Sequence, residues 1–305
     1  MKRNTDGRPI RILLQTTIPA TEDDWGVERF SLLREYLASL KDESGRPLCE
    51  VVARNRESDA HGNEPVLSSI DRSDFDELWL FAVDTGGGLS QNDCEAITRF
   101  RKRGGGILSA RDHQDLGSSI CTIGGIGAAH FFHSRNLDPD SARRVPDDTG
   151  TKSISWPNFH SGSNGDYQTI HPVDPAHELL RRPGAPSGVI SYFPAHPHEG
   201  DVGVPAGEKN ARVIATGVSQ TTNRPFNIAV AFERATDESG DRLGRAVAES
   251  SFHHFVDYNW DIGKGAPSFL TEPPGDEIKH DPGRLDDVKT YVRNLAVWLA
   301  PAKRP

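Results

Sequence analysis

The sequence predicts an α/β protein built on a doubly wound, mainly parallel sheet, and three observations carry that prediction. Between residues 10 and 110, short apolar runs alternate with amphipathic stretches, the pattern of strands joined by crossover helices. Leu78–Val83 is apolar without a break, as a strand covered on both faces must be. Near the end, Val288, Val292, Leu295 and Leu299 recur at helical spacing across 285–299. The right-handedness of strand–crossover–strand units then places helices on both faces of the sheet.

Each element follows in order. Ile10–Gln15 reads as the first strand, followed by a polar loop holding Asp23, Asp24 and Trp25. Phe30, Leu33, Leu37 and Leu40 mark one face of a helix, and Leu48–Ala53 is the second strand. After the third strand, Leu78–Val83, Ser90 caps a helix carrying Cys94, Ile97 and Phe100. That helix ends in Arg101, Lys102 and Arg103 before three glycines, and Ile107–Ala110 is the fourth strand. Beyond Phe132 the character changes. Residues 134–187 are rich in Asp, Pro, Ser, Asn and Gly, with a short helical turn at Ala176–Leu180. A stretch this long without regular structure is commonly functional. Its interleaved Trp156, Phe159 and Tyr167 predict an ordered lid that brings His160 and Tyr167 over the carboxyl ends of the strands. Strand signals return at Gly188–Phe193, Arg212–Val218, Phe226–Phe232 and Arg245–Phe252. The reading is one domain, 1–305, with an insertion at 134–187.

Composition narrows the partners. A net charge of -9 leaves no basic surplus to displace counterions from a phosphate backbone, which argues against nucleic acid. A small-molecule substrate fits better, and a homo-oligomer is compatible with the sequence. Cys49, Cys94 and Cys121 are widely spaced and odd in number, so neither a disulfide framework nor a cysteine zinc knuckle is expected. The apolar run after the basic start is too short for a secretory signal, and no stretch is long enough to span a bilayer. No membrane partner is expected, and the expected compartment is the cytoplasm.

The chemistry gathers at strand ends. Arg111, Asp112 and His113 follow the fourth strand, where open α/β sheets bind ligands. A helix is predicted to open there, its free N–H groups facing whatever binds. The alternative is a capped helix start in which Asp112 or Asp115 satisfies those donors. Beside a helix N-terminus, His113 would stay neutral, fit to act as base or ligand. Asp84, Thr85 and Gly86 follow the third strand, and the glycines at 86–88 could line an anion pocket or form a plain turn. His253 and His254 close the late strand, and His196 and His198 form an HxH pair. Asp112, His113, His253 and His254 are thus the candidate acid/base residues. His113, His196, His198 and His254 are the candidate ligands of a divalent, zinc-like ion. Asp84, Thr85, Gly86, Arg111, His160 and Tyr167 are the candidate substrate contacts. Gly125–His130 lacks the third glycine of a dinucleotide fingerprint and does not follow the first strand, so no nucleotide cofactor is expected. Cys121 is expected to pack inside the post-strand helix.

Two motifs carry a family resemblance that covers nearly the whole chain. Arg103–Ser109 is similar to the glycine-led strand before the elbow in the ThuA-like branch of the class I glutamine amidotransferase-like superfamily. Gly244–His253 resembles that family's late GR…GH strand, with Phe252 in place of the usual glycine. The resemblance implies a flavodoxin-like sheet with its site at the elbow, an association with sugar metabolism and, in some members, a metal. True amidotransferases carry cysteine at the elbow and a late histidine as its base. Here Arg111 or Asp112 stands at the elbow, which argues against a cysteine-dependent glutaminase. Two readings remain open at this point. One is an enzyme, a hydrolase or isomerase in type, using histidine/aspartate acid–base or metal-assisted chemistry on a polar small molecule such as a sugar derivative. The other is a non-catalytic amidotransferase-like domain that binds a ligand or a protein. Convergence of Asp112, His113 and His253 or His254 would favour the first.

Overall fold

A computed structural model describes residues 8–20, 25–144, 147, 154, 158–267, 270 and 272–301. Asp23, Asp24 and Trp156, singled out above, lie outside the described residues. The central sheet has eight strands: β1 (Ile10–Thr16), β2 (Cys49–Arg54), β3 (Glu77–Phe81), β4 (Gly106–Ala110), β5 (His171–Pro172), β6 (Ala211–Val218), β7 (Pro225–Phe232) and β8 (Ala246–Glu249). Their spatial order is β2-β1-β3-β4-β8-β7-β6-β5. From β2 to β8 every pairing is parallel, and β7, β6 and β5 extend the sheet antiparallel. The fold is therefore the doubly wound, mainly parallel α/β sheet that the alternation predicts.

Four helices accompany it: α1 (Ser31–Ser39), α2 (Gln91–Lys102), α3 (Glu277–His280) and α4 (Leu285–Leu299). Successive side chains of a strand point to opposite faces, and the buried strands use both. Ile12, Leu14, Trp79 and Phe81 pack with Leu33 and Leu37 of α1 and with Val288, Val292 and Leu295 of α4. Leu13, Leu78 and Leu80 pack on the other side with Cys94, Ile97 and Phe100 of α2. Ser90 closes α2 with a capping box, its hydroxyl accepting from Asp93 N while the Asp93 carboxylate accepts from Ser90 N. Asp257 anchors the start of α1 by accepting from Leu32 N at 2.8 Å. Among the described residues, no helix is long and apolar enough to cross a membrane.

Four expectations change. No helix follows β4: Arg111–Gly117 is a loop that turns through Gln114 at φ 48° and Gly117 at φ 85°. The first helical turn, Ser118–Thr122, is a short one, and Cys121 sits there. His113 therefore does not stand at a helix N-terminus. The strand expected at Gly188–Phe193 is confined to Tyr192–Pro194, paired with Tyr167–Thr169 away from the central sheet. The late strand stops at Glu249, and Ser251 then opens a tight turn, its side chain accepting from His253 N. The insertion divides. Residues 158–168 lie at the carboxyl edge of the sheet, against His196, Glu199 and His254. Residues 170–187 run to the far edge instead, where β5 pairs with β6 and Asn294 of α4 donates to Leu179 O.

Candidate functional site

β4 and β8 are parallel neighbours, with Ala110 opposite Glu249. The chain after each strand therefore emerges side by side, and Phe252 N donates to Arg111 O at 2.7 Å. Across these two ends runs the segment 196–200, held by Gly200 N donating to Ser250 O. A Cβ on Gly200 would stand 2.7 Å from Asp112 O and 2.9 Å from Arg111 Nε, so only glycine allows so close a crossing. The crossing brings histidines from two distant segments onto Asp112. His196 Nε2 lies 3.3 Å from Asp112 Oδ1 and His253 Nε2 3.4 Å from Asp112 Oδ2. His113 Nδ1 lies 3.2 Å from Asp112 Oδ1. The His196 and His253 rings stack at 3.4 Å, and the His198 ring stands 5.3 Å from His113 and 5.6 Å from His196.

The tautomer of His196 follows from a chain of hydrogen bonds that begins at a group able only to donate. Gly165 N donates to Asn259 Oδ1, so Asn259 Nδ2 must be the other end of that amide. Asn259 Nδ2 donates to His253 O at 3.0 Å and to Asn164 Oδ1 at 3.3 Å. Asn164 Oδ1 is thereby an acceptor, and His196 Nδ1, 3.0 Å away, must carry the proton. Burial pushes the His196 pKa well below its usual value, with His253 adding to the effect. The ring is neutral, and its Nε2 presents a lone pair to Asp112. Burial would raise the Asp112 carboxyl, but His113 and His253 outweigh that and hold it well below the usual carboxylate range. Burial also lowers His253, against the pull of Asp112. Asp112 Oδ1, His196 Nε2 and His253 Nε2 are all buried, and none sits in hydrogen-bonding alignment.

A lone pair facing a buried carboxylate repels it unless a cation lies between them. Asp112, His196 and His253 can each offer one ligand atom, and these atoms all lie within 4.8 Å of one another. The two nitrogen–oxygen separations run to different oxygens of the Asp112 carboxylate. A metal ion could be held by these three residues. Tyr258 Oη, 3.3 Å from His253 Nδ1, holds the back of that ring, as the partners behind metal-binding histidines do.

His254 belongs elsewhere, which corrects its expected part in a metal site and in acid/base work beside Asp112. Its Nδ1 lies 3.1 Å from Glu249 Oε2 and its Nε2 3.2 Å from Glu199 Oε1. Burial alone would lower its pKa, but the two glutamates carry it up to about 10. An imidazolium with both nitrogens engaged has no lone pair to give. Its partners are saturated as well. Ser161, Gln168 and Ser250 donate to Glu199, and Tyr291 Oη makes a short hydrogen bond to Glu249.

Several expected substrate contacts do structural work. Asp84 accepts from Gly86 N, Ser119 N and Ser119 Oγ, so its carboxylate closes its own loop. Thr85 points into solvent, and Gly86 supplies a φ of 108° for the turn. The Arg111 guanidinium is fully buried over the Phe132 ring and donates to the carbonyls of Phe131, Gln114 and Asp201. Tyr167 turns away, donating to Asp281 O beside Arg284. His160 stands one residue from Ser161, which joins the Glu199 group, but its ring does not join the histidines on Asp112. Glu199, Glu249, Asn164, Gln168 and Asn259 escape the sequence reading. The available signals were a lone glutamate inside the apolar run Ala246–Glu249 and another directly after the HxH pair.

The comparisons with known proteins come from structure. No protein-family model and no curated protein matches the sequence. A ThuA-like protein from Parabacteroides merdae aligns at a TM-score of 0.50 and 15% identity, over 98% of this chain and 93% of that one. The glutaminase domain of Trypanosoma brucei CTPS, with bound acivicin, aligns at 0.41 and 12% identity, over 97% and 98%. The ThuA-like neighbour shares the fold. This agrees with the resemblance drawn from Arg103–Ser109 and Gly244–His253. None of the three cysteines lies in the turn after β4: Cys49 is in β2, Cys94 in α2 and Cys121 in the turn at 118–122.

Proposed function

We propose that the chain is a ThuA-like enzyme that performs metal-assisted chemistry on a polar small molecule of sugar type. Asp112, His196 and His253 would hold a divalent, zinc-like ion. The observation that carries this reading is the neutral His196 Nε2 facing the Asp112 carboxylate at 3.3 Å, buried and without hydrogen-bonding alignment. When bound, such an ion polarises a substrate oxygen and stabilises the negative charge that develops there. The chain's own groups do the rest. Tyr258, Asn164 and Asn259 orient the two ligand rings. His113, 17% exposed at its side chain, reaches both Asp112 and solvent, a position suited to carrying a proton between substrate and water. His198, 10% exposed at its side chain and 3.7 Å from Glu272, lines the same mouth. With Asp112 and His113 at the elbow and no cysteine there, the reaction is not that of a cysteine-dependent glutaminase.

Cobalt(II) uptake tests the proposal. Metal-free protein should bind about one equivalent and develop the visible spectrum of a tetrahedral nitrogen/oxygen site. Asp112→Asn should bind more than tenfold more weakly. A wild type that takes up no cobalt would leave the non-catalytic binding domain as the better reading.

A further inference from the structure

Beside the Asp112 group lies a second set of buried polar atoms without partners among the described residues. Asn158 is 0% exposed, yet neither its Nδ2 nor its Oδ1 has a hydrogen-bond partner. His160 Nδ1 and Ser219 Oγ are buried and unpartnered in the same way. These three residues sit on two segments that are tied together. Gln220 N donates to His160 O at 2.7 Å, Gln220 Nε2 donates to Ser161 O, and Phe159 stacks on Phe226 at 4.9 Å. The 219–224 turn stands at the carboxyl edge of the sheet, because β7 runs antiparallel to β8 and begins beyond Glu249.

The register places Asn158 next to the proposed metal ligands. Phe159 and Glu199 exchange both backbone hydrogen bonds, at 2.9 and 2.8 Å, so Asn158 lies across from Gly200. Side chains of facing residues in such a pair point to the same side. On that side Gly200 is pressed against Ser250 O, Asp112 O and Arg111 Nε, and Arg111 Nε is itself unpartnered. Asn158 therefore lies on the side of the crossing that faces the Asp112 backbone.

We propose that Asn158, with His160 and Ser219, forms a hydroxyl-recognition subsite for a polyol substrate whose reacting end lies at the Asp112 group. A carboxamide both donates and accepts, as do the hydroxyl of serine and a neutral imidazole. Neighbouring hydroxyls of a sugar present donors and acceptors in the same way, so each would satisfy one of these atoms. A carboxylate or phosphate, which only accepts, would leave Asn158 Oδ1 unsatisfied. The subsite deepens the proposed function and rests on it for the place of the reacting end, but not for binding itself.

Asn158→Leu tests the subsite, because leucine fills the same volume without polar atoms. If Asn158 is kept for a ligand, the variant should melt about 1–4 °C above the wild type in the absence of sugar, since an unsatisfied buried amide has been removed. D-glucose, D-galactose and myo-inositol, followed by saturation-transfer NMR, should bind the wild type. At least one should bind Asn158→Leu or Ser219→Ala tenfold more weakly or worse. Melting of Asn158→Leu below the wild type would mean a structural amide and overturn the subsite. So would absence of binding by all three polyols. Metal content measured on the same samples separates the two claims. Wild type that binds a polyol but no metal defeats the metal reading alone, and wild type that binds metal but no polyol defeats the subsite alone.

Discussion

His253 and His254 are neighbours in sequence and both are buried, yet they belong to opposite kinds of site. His254 lies between two glutamates whose remaining oxygens are met by serine, glutamine and tyrosine. His253 faces a carboxylate and a second imidazole, with its Nε2 out of hydrogen-bonding alignment. Both groups are costly to bury, and each offsets that cost differently. In the first, both ring nitrogens of His254 and all four oxygens of Glu199 and Glu249 have partners, as a structural network requires. The second leaves Asp112 Oδ1, His196 Nε2 and His253 Nε2 buried without partners, and the proposed cation would satisfy them. Buried histidines next to carboxylates are thus poor evidence of function by themselves, and the satisfaction of their hydrogen bonds is what separates scaffold from site.

The comparison can be broken most easily from its structural side. His254→Gln removes one partner from a buried ion cluster and leaves two glutamates facing each other, which costs about 3–5 kcal/mol. Thermal unfolding should therefore move down by roughly 10 °C or more, while protein that remains folded keeps its metal. Equal stability in the variant would mean that the Glu199–His254–Glu249 group is not the brace described here.

Another buried carboxyl sharpens the contrast, because it settles its charge with a proton. Burial raises the Asp201 pKa to about 7, helped by Asp138 and opposed by Arg143 and Arg111. Its folded pKa stands above the unfolded value, so the folded protein holds the proton longer. Stability must then fall as pH rises from about 4 to about 7 and level off above that, by roughly 2–4 kcal/mol in all. Urea unfolding of wild type and Asp201→Asn at pH 5 and pH 8 checks this. The wild type should lose stability between the two, and the variant should lose clearly less. Parallel losses would remove Asp201 as the cause.

These distinctions also mark how far the sequence could be read. β1 to β4 and α4 are legible because their apolar residues repeat at strand or helix period and their burial follows that period. The loop after β4 is not legible. Arg111 and Asp112 look like a helix start, but the arginine is drawn inward by the distant carbonyls of Phe131 and Asp201 and by Gln114 O of its own loop, and the chain turns through Gln114 instead. At the site, Asp112, His113, His196 and His253 could be named because their residue types carry the chemistry. His254, expected as a ligand, instead has both nitrogens on Glu199 and Glu249, which approach it only through tertiary pairing. Tyr167 failed for a similar reason: alternation along Tyr167–Thr169 sends Gln168, not Tyr167, toward Glu199.

The most direct test of the difference between the two histidine groups is the metal content of purified protein, by inductively coupled plasma mass spectrometry, after growth with added zinc. The wild type should carry about one equivalent of a divalent metal, and His254→Gln about the same per folded molecule. Asp112→Asn and His253→Ala should each carry less than about a tenth, with melting temperatures near that of metal-free wild type. A wild type without metal, or an Asp112→Asn variant that keeps it, would contradict the account.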